Sequence, residues 1–182
     1  MIEIRLHGRG GQGAVIASKI LAVAMFGEGN YVQAFPKFGV ERRGAPVEAF
    51  LRLDKDKILI RSDIDKPDHV IVLDHTLIDV VHVTAGLAEN GWILINTDLK
   101  PIDVENLKQF RVACINASRI AADLHLGSRS APIVNTAICG AFARCTGLVK
   151  LESVCEAIKE EVPTKAAENI QAATIAFNTT IV

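Results

Sequence analysis

A glycine-rich segment near the amino terminus constrains the fold of this chain more than any other feature. The segment consists of Gly8, Arg9, Gly10, Gly11, Gln12 and Gly13, and it satisfies the pattern G-x-G-x-x-G. Before it, Ile2, Ile4 and Leu6 alternate with polar residues, which is the two-residue period of a β-strand. After it, apolar residues recur at helical spacing over residues 14–25. The chain therefore begins with a strand, a glycine loop and a helix, the order of a nucleotide-binding α/β unit.

The rest of the chain continues the alternation of strands and helices. The predicted strands are residues 31–35, 70–73, 92–95 and 111–115, and the predicted helices are residues 133–142, 151–160 and 166–177. We predict an α/β fold: a Rossmann-like, mostly parallel sheet with helices on both faces. Residues 47–53 and 57–61 flank a polar turn and predict an antiparallel hairpin added to that sheet. Since no linker-like segment interrupts the chain, we predict a single domain over residues 1–182.

The charge balance and the apolar runs exclude two classes of partner. Lys and Arg total 20 against 21 Asp and Glu, so no excess of positive charge is available to hold a nucleic acid. The apolar runs are much shorter than the about 20 residues that cross a bilayer. The amino terminus also lacks the pattern of a signal peptide. We therefore expect a cytoplasmic protein that contacts neither nucleic acid nor membrane.

The side chains that could hold a metal or act as nucleophiles lack suitable spacing. The cysteines are Cys114, Cys139, Cys145 and Cys155, and none forms a C-x-x-C pair. We interpret them as small buried apolar residues rather than ligands. The five histidines lack metal-ligand spacing, and no serine lies in a nucleophile elbow. We predict neither a metal site nor a catalytic residue, and we interpret Asp74, at a strand end, as a possible helix cap.

The glycine loop is suited to bind a phosphate. Its glycines permit a tight turn and a close approach of the backbone, and the helix start attracts an anion. A nicotinamide or flavin dinucleotide site also needs an acidic residue at the end of the second strand, and residues 31–35 contain none. An ATP-binding P-loop is excluded because no Gly-Lys-Ser or Gly-Lys-Thr follows the glycines. Close packing of the helix on the sheet is the alternative explanation for these glycines.

A second candidate site is a basic cluster in the long loop after the second strand. Lys37, Arg42 and Arg43 lie there around two glycines. Arginine side chains suit phosphate and carboxylate oxygens because their donors form a planar fork. Pairing with Glu41 and nearby acids, on a solvated loop or at a subunit interface, explains the same residues equally well.

Four segments together resemble the gamma subunit of the 2-oxoacid:ferredoxin oxidoreductases. They are the glycine loop, the run Phe38-Gly39-Val40-Glu41-Arg42-Arg43-Gly44-Ala45-Pro46-Val47, the run Ala49-Phe50-Leu51-Arg52, and Pro132-Ile133-Val134-Asn135-Thr136 with Gly140. The resemblance covers nearly the whole chain. The form Gly44-Ala45-Pro46-Val47 is similar to the gamma chains of the pyruvate and branched-chain 2-oxoacid enzymes.

The resemblance implies a complex that converts pyruvate or a related 2-oxoacid, with coenzyme A, into acyl-CoA, carbon dioxide and reduced ferredoxin. It implies thiamine diphosphate and magnesium between alpha and beta partner subunits, iron–sulfur clusters on the beta and delta subunits, and no activity for the gamma chain alone. It also associates the gamma chain with coenzyme A. The candidates for binding the phosphates of coenzyme A are then Gly8, Gly10, Gly11, Gln12, Gly13, Lys37, Arg42 and Arg43. A structural assembly module without a ligand and a dinucleotide-dependent oxidoreductase are the alternatives.

Overall fold

A six-stranded mixed sheet forms the centre of the molecule in a computed structural model that describes residues 1–37, 44–104, 107, 109–128 and 130–182. The strands are β1 (Ile2–Arg9), β2 (Tyr31–Pro36), β3 (Pro46–Asp54), β4 (His69–Val72), β5 (Trp92–Asn96), β6 (Arg111–Ile115), β7 (Gly127–Ser128) and β8 (Ala131–Pro132). The α-helices are α1 (Ala14–Gly27), α2 (Ala117–Asp123), α3 (Asn135–Thr146), α4 (Leu151–Glu161) and α5 (Ala166–Thr179). No described helix is long and apolar enough to cross a membrane.

The large sheet is mostly parallel, as predicted. Its strand order is β2-β3-β1-β4-β5-β6, and β1, β4, β5 and β6 run parallel to one another. Only β3 runs against its two neighbours. The chain leaves β1 through α1 toward one side of the sheet, and it later returns at β4 to build the other side. The direction of the winding therefore reverses between β1 and β4.

β2 and β3 form the antiparallel hairpin of the sheet. The prediction that residues 57–61 pair with β3 was wrong. Leu51 in β3 lies opposite Ala34 on one side and opposite Ile4 of β1 on the other. A strand has only two hydrogen-bonding edges, and both edges of β3 are occupied. Residues 57–61 therefore form no strand, and Leu59 is 79% exposed. A second, two-residue hairpin pairs β7 with β8.

The two faces of the sheet are covered differently. Among the described residues, the α-helices pack on the face that carries Ile4, Leu6, Ile71 and Leu94. The opposite face carries Val70, Val72, Ile93 and Ile95, and it is covered by Leu77, Val83, Leu87 and Leu107. These covering residues lie in irregular segments, with 3₁₀ helices at His75–Leu77 and Pro101–Asp103, rather than in the α-helices predicted for both faces. Gly86 and Asn90 lie in the connection from β4 to β5, and both have positive φ. Because this left-handed conformation does not fit a right-handed α-helix, a continuous helix cannot run through these positions.

Candidate functional site

The glycine loop lies at the carboxyl end of β1, beside the point between β1 and β4 where the winding of the sheet reverses. Open α/β sheets bind ligands in the crevice at such a point. Gly11 and Gly13 have φ of 97° and 85°, in the left-handed region that glycine adopts without strain. Gly13 is the N-cap residue of α1, and its carbonyl accepts the first helical hydrogen bond, from the Ala17 N–H at 2.8 Å. The loop thus leads directly into a helix start.

Helix geometry supplies anion-binding donors at this position. The first amides of an α-helix have no acceptor within the helix, and in α1 these belong to Ala14, Val15 and Ile16. Val15 and Ile16 are 37% and 47% exposed, so the first turn of α1 faces solvent. The amides and the helix dipole together favour an anion at this end.

Four side chains hold the shape of the loop. The Gln12 Oε1 accepts from the Arg9 backbone N–H at 2.8 Å, and the Gln12 Nε2 donates to the Asp74 Oδ2 at 2.9 Å. The Arg9 Nε donates to the same Asp74 oxygen at 3.1 Å, and its Nη2 donates to the Thr76 hydroxyl at 2.8 Å. The carboxyl ends of β1 and β4 are therefore tied together, and the side chains of Arg9 and Gln12 are used within the loop.

Asp74 also caps the 3₁₀ helix after β4, which confirms the predicted capping role. Its Oδ1 accepts from the Thr76 backbone N–H at 3.0 Å. Burial by itself raises the pKa of the Asp74 carboxyl, but hydrogen bonds from Thr76 and Gln12 and the charge of Arg9 outweigh it, so that the pKa lies below its ordinary value. The carboxylate is therefore ionised at neutral pH, and Arg9 neutralises its charge.

The structure places the end of the basic loop next to the glycine loop. The Gly10 N–H donates to the Ala45 carbonyl at 2.9 Å, and the Gly44 N–H donates to the Gly10 carbonyl at 3.1 Å. At the other end of the basic loop, the Lys37 Nζ pairs with the Glu48 Oε2 at 3.1 Å. Arg42 and Arg43 lie outside the described residues, as does Glu41.

The position of β3 weighs against a dinucleotide site. In such a site the ribose is held from the end of the strand that follows the first helix. Here β3 separates β2 from β1, so the end of β2 lies two strand spacings, about 9–10 Å, from β1. The end of β2 carries Pro36 and Lys37 instead of an acid.

Sequence reasoning missed the contact between Asn135 and the glycine loop. Asn135 is the first residue of α3, it is 4% exposed, and it packs against the N-cap of α1. A Cβ at position 13 would lie 2.8 Å from the Asn135 Nδ2, so only a glycine at that position leaves room for this side chain. The available signal was the pair Asn135-Thr136 at a predicted helix start, but its contact with Gly13 spans more than a hundred residues of sequence.

On the opposite face of the sheet, Arg5 and His7 form a buried polar cluster. The Arg5 Nε donates to the His7 Nε2 at 3.0 Å, and the guanidinium also donates to the carbonyls of Ile64, Val83 and Ala85. Burial and the neighbouring Arg5 charge lower the pKa of His7 to about 4. His7 is therefore neutral at pH 7, and Arg5 ties the irregular cover to the sheet.

The predicted burial of the cysteines is confirmed for three of the four. Cys114, Cys139 and Cys145 are buried, and Cys155 is half-buried. Burial raises the pKa of Cys114 to about 11 and that of Cys145 to about 12, so both stay protonated at neutral pH. Within the described ranges, no group of three or more His, Cys, Asp or Glu side chains is placed to hold a metal ion.

The fold and the loop define a Rossmann-like α/β protein with a glycine loop at its topological switch point. The family model described as pyruvate ferredoxin/flavodoxin oxidoreductase matches residues 3–179. The chain belongs to this family, and within it the chain corresponds to the gamma subunit of the pyruvate/ketoisovalerate oxidoreductases. The predicted resemblance is therefore confirmed.

Individual relatives match this chain over almost its full length. The pyruvate/ketoisovalerate oxidoreductases common subunit gamma of Thermococcus kodakarensis is 56% identical, over 100% of this chain and 98% of the relative. The pyruvate synthase subunit PorC of Methanocaldococcus jannaschii is 51% identical, over 98% of this chain and 96% of the relative. The crystal structure of pyruvate oxidoreductase subunit PORC from Thermotoga maritima superimposes with a TM-score of 0.82 and 34% identity, over 98% of this chain and 96% of that one.

A more distant structure shares the fold. It is the 2-oxoglutarate:ferredoxin oxidoreductase from Magnetococcus marinus, determined with 2-oxoglutarate, coenzyme A and succinyl-CoA bound. It matches with a TM-score of 0.72 and 18% identity, over 97% of this chain and 31% of that chain. The gamma fold therefore also occurs as one part of a longer chain.

Proposed function

We propose that this chain is the coenzyme A-binding gamma subunit of a complex that oxidatively decarboxylates pyruvate or a related 2-oxoacid. The complex forms acyl-CoA and carbon dioxide and passes the electrons to ferredoxin. Residues 1–182 act as one domain that supplies no catalytic residue. Thiamine diphosphate, magnesium and the iron–sulfur clusters are held by alpha, beta and delta partner subunits, so the gamma chain alone is inactive.

The observation that carries this proposal is the glycine loop at the switch point, with the exposed first turn of α1 behind it. Coenzyme A is a polyanion with a diphosphate and a 3′-phosphate, and a helix start favours such groups. A helix dipole contributes only about 0.3–1 kcal/mol, whereas micromolar affinity requires about 8 kcal/mol. Cationic side chains must supply part of the difference.

The basic loop is the source of those cations in this proposal. Gly44 and Ala45, at the end of that loop, are hydrogen-bonded to Gly10, and Arg42 and Arg43 directly precede them in the sequence. Lys37 is about half exposed in its pair with Glu48, so its ammonium group can turn toward an incoming phosphate. Arginine is suited to this contact because its planar fork matches two phosphate oxygens.

The test is isothermal titration of coenzyme A into the assembled complex carrying Arg42→Ala and Arg43→Ala. Loss of one charge-assisted phosphate contact should weaken binding by roughly ten- to a hundredfold. The matched control is Lys55→Ala with Lys57→Ala, which removes the same charge from two exposed residues of the polar turn after β3. The control complex should bind coenzyme A with unchanged affinity.

Two outcomes would contradict the proposed site. Unchanged affinity in the arginine double variant would remove the basic loop from the coenzyme A site. Failure of that variant to assemble, while the lysine control assembles, would make the loop an interface element and favour the structural assembly module. A purified complex with a bound nicotinamide or flavin absorbance would instead revive the dinucleotide alternative.

The partners themselves are tested by purifying the tagged chain from anaerobically grown cells, followed by mass spectrometry and an absorbance scan. We expect larger subunits with iron–sulfur absorbance and dye reduction that depends on both the 2-oxoacid and coenzyme A. A chain that elutes alone and colourless would contradict the proposed complex.

A further inference from the structure

The two edges of the large sheet differ in how they are covered. β6 forms one edge, where the Cys114 N–H donates to the Ile181 carbonyl at 2.9 Å and the Ile181 N–H donates to the Cys114 carbonyl at 3.0 Å. β2 forms the other edge, and no described residue pairs with its outer side. Proteins usually protect an open edge with lysines, a bulge or a covering segment, because such an edge is a template for a further strand. β2 carries no charged residue, so its outer edge is available for pairing.

The backbone groups of Val32 and Ala34 point out of this open edge. The Lys37 N–H, just after β2, donates to the carbonyl of Glu48 in β3 at 3.0 Å. Hydrogen-bonded pairs alternate along an antiparallel ladder, so every second residue of β2 before Lys37 also bonds toward β3. The residues between them, Val32 and Ala34, therefore direct their N–H and C=O groups to the outer side.

The outer edge of β2 is complementary to itself. In an antiparallel pairing with a two-fold axis at Gln33, Val32 of one copy lies opposite Ala34 of the other. Each such pair exchanges both of its N–H···O bonds, so all the outward donors and acceptors of Val32 and Ala34 satisfy one another. A pairing centred on Val32 or Ala34 would bring in Asn30 or Pro36 instead. Proline has no N–H, and the Asn30 N–H is already donated to a carbonyl at the end of α1 at 3.3 Å, so either shift leaves outward carbonyls without a donor.

The side chains and charges of the strand suit the same pairing. Tyr31, which is 50% exposed, lies opposite Phe35 of the other copy, and aromatic pairs across neighbouring strands stabilise a sheet. Glu28 precedes β2 and Lys37 follows it, so the antiparallel arrangement places Lys37 of one copy beside Glu28 of the other. A parallel arrangement would place like charges together. The net charge of −1 causes little repulsion between two copies of the chain.

We propose that two copies of this gamma chain associate through β2, in an antiparallel pairing centred on Gln33 that joins their large sheets into one. Since β1 runs parallel to β2, the two glycine loops then lie at opposite ends of the joined sheet. Both loops therefore stay accessible to a ligand. The association goes beyond the proposed function and does not depend on coenzyme A. It predicts that the assembled complex contains its gamma chains in pairs.

The experiment places a cysteine at the two-fold axis. Residues that lie opposite each other without exchanging hydrogen bonds have Cα atoms about 4.5 Å apart, which is within the range of disulfides. Gln33→Cys in the assembled complex should therefore link two gamma chains on mild oxidation. The matched control is Ala34→Cys, an exposed position on the same strand whose two copies lie more than about 7 Å apart, too far for a disulfide. The unsubstituted complex gives the background from the native cysteines.

Non-reducing electrophoresis measures the linked product as a band of twice the mass of the gamma chain. We expect at least about tenfold more of this band from Gln33→Cys than from Ala34→Cys. The inference is overturned if the band is absent, if Ala34→Cys gives as much of it, or if Gln33→Cys links the gamma chain to a larger subunit instead. If no complex can be purified, the proposed function fails, and the same two variants are compared in the full gamma chain by the same criteria.

A second substitution tests the hydrogen bonds of the pairing. Ala34→Pro removes an amide donor that faces outward, so the bonds from β2 to β3 remain. Ala34→Ser is the matched control because it keeps the amide. In sedimentation velocity of the full gamma chain, we expect the dissociation constant of the dimer to rise at least about tenfold for Ala34→Pro and to stay unchanged for Ala34→Ser. An unsubstituted chain that is monomeric at every concentration, or equal constants for both variants, would overturn the inference. If circular dichroism shows that Ala34→Pro is unfolded, the cysteine comparison decides.

Discussion

The packing of α3 against α5 leads to a sharp prediction for Gly140→Ala. Gly140 lies in the middle of α3, where it faces the backbone of Ala173 in α5. A Cβ at position 140 would lie 2.6 Å from the Ala173 carbonyl carbon and 2.8 Å from its Cα, with the carbonyl oxygen closer still. These are backbone atoms inside a helix, so no change of rotamer can move them away.

The expected cost follows from the separation that the methyl group requires. Ordinary carbon contacts begin near 3.4 Å, so α3 and α5 must move apart by at least about 0.8 Å to clear the carbonyl carbon, and by more to clear the carbonyl oxygen. The buried residues Ala137, Ala141, Ala172 and Ala176 on these helices would lose contact as a result. Overpacking costs about 1–3 kcal/mol, and an alanine in a helix recovers up to about 1 kcal/mol. We expect a net loss of about 2 kcal/mol, or about 4–8 °C in Tm.

Urea unfolding of the chain, followed by circular dichroism, measures this loss. Gly27→Ala is the matched control, because Gly27 ends α1 with nothing within 4 Å of the added methyl group. The control should be as stable as the unsubstituted chain or slightly more stable. A Gly140→Ala variant whose stability equals that of the control would refute the reasoning from close packing.

Two further predictions concern pH. The pKa of buried His7, about 4 against an ordinary 6.5, makes the unfolding free energy fall by about 3 kcal/mol from pH 6.5 to 4, because the unfolded chain takes up the proton first. In urea unfolding, the unfolding free energy of His7→Gln should vary less with pH in this range than that of the unsubstituted chain. An unchanged pH dependence would contradict the assignment to His7. The lowered pKa of Asp74 stabilises the fold at neutral pH and ceases to do so as the pH falls through the folded-state pKa. Asp74→Asn should unfold about 1 kcal/mol more easily at pH 7, and the difference should shrink as the pH falls below the ordinary carboxyl pKa of 3.8; a difference that stays constant with pH would count against this role.

Most helices and strands were predictable because their patterns are local. The alternation at Ile2, Ile4 and Leu6 predicted β1, and the apolar stripes predicted α3, α4 and α5 within a few residues of their observed bounds. The hairpin partner of β3 was predicted wrongly because two alternating runs close in sequence resemble a hairpin whether or not they pair. Long-range pairing with β1 and β2 takes both edges of β3.

The candidate site divides in the same way. The glycine loop was predictable because a turn with positive φ favours glycine, so the conformation of the loop is visible in the sequence as a run of glycines. The network of Arg9, Gln12 and Asp74 was not predictable, because it joins residues 62 and 65 positions apart. The pairing of Lys37 with Glu48 and the contact between Gly13 and Asn135 also depend on how distant elements meet.

The sequence by itself determined the order of strands and helices, the glycine loop before α1, and membership of the gamma-subunit family. Each of these depends on residues that are near one another along the chain or on motifs in a set order. Only the tertiary structure decided that β3 separates β1 from β2, that Arg5 and His7 are buried, and that the starts of α1 and α3 meet at Asn135. The physical reason is that burial and side-chain partners are set by packing between elements, and hydrophobic periodicity specifies the inward face of an element but not the element that covers it.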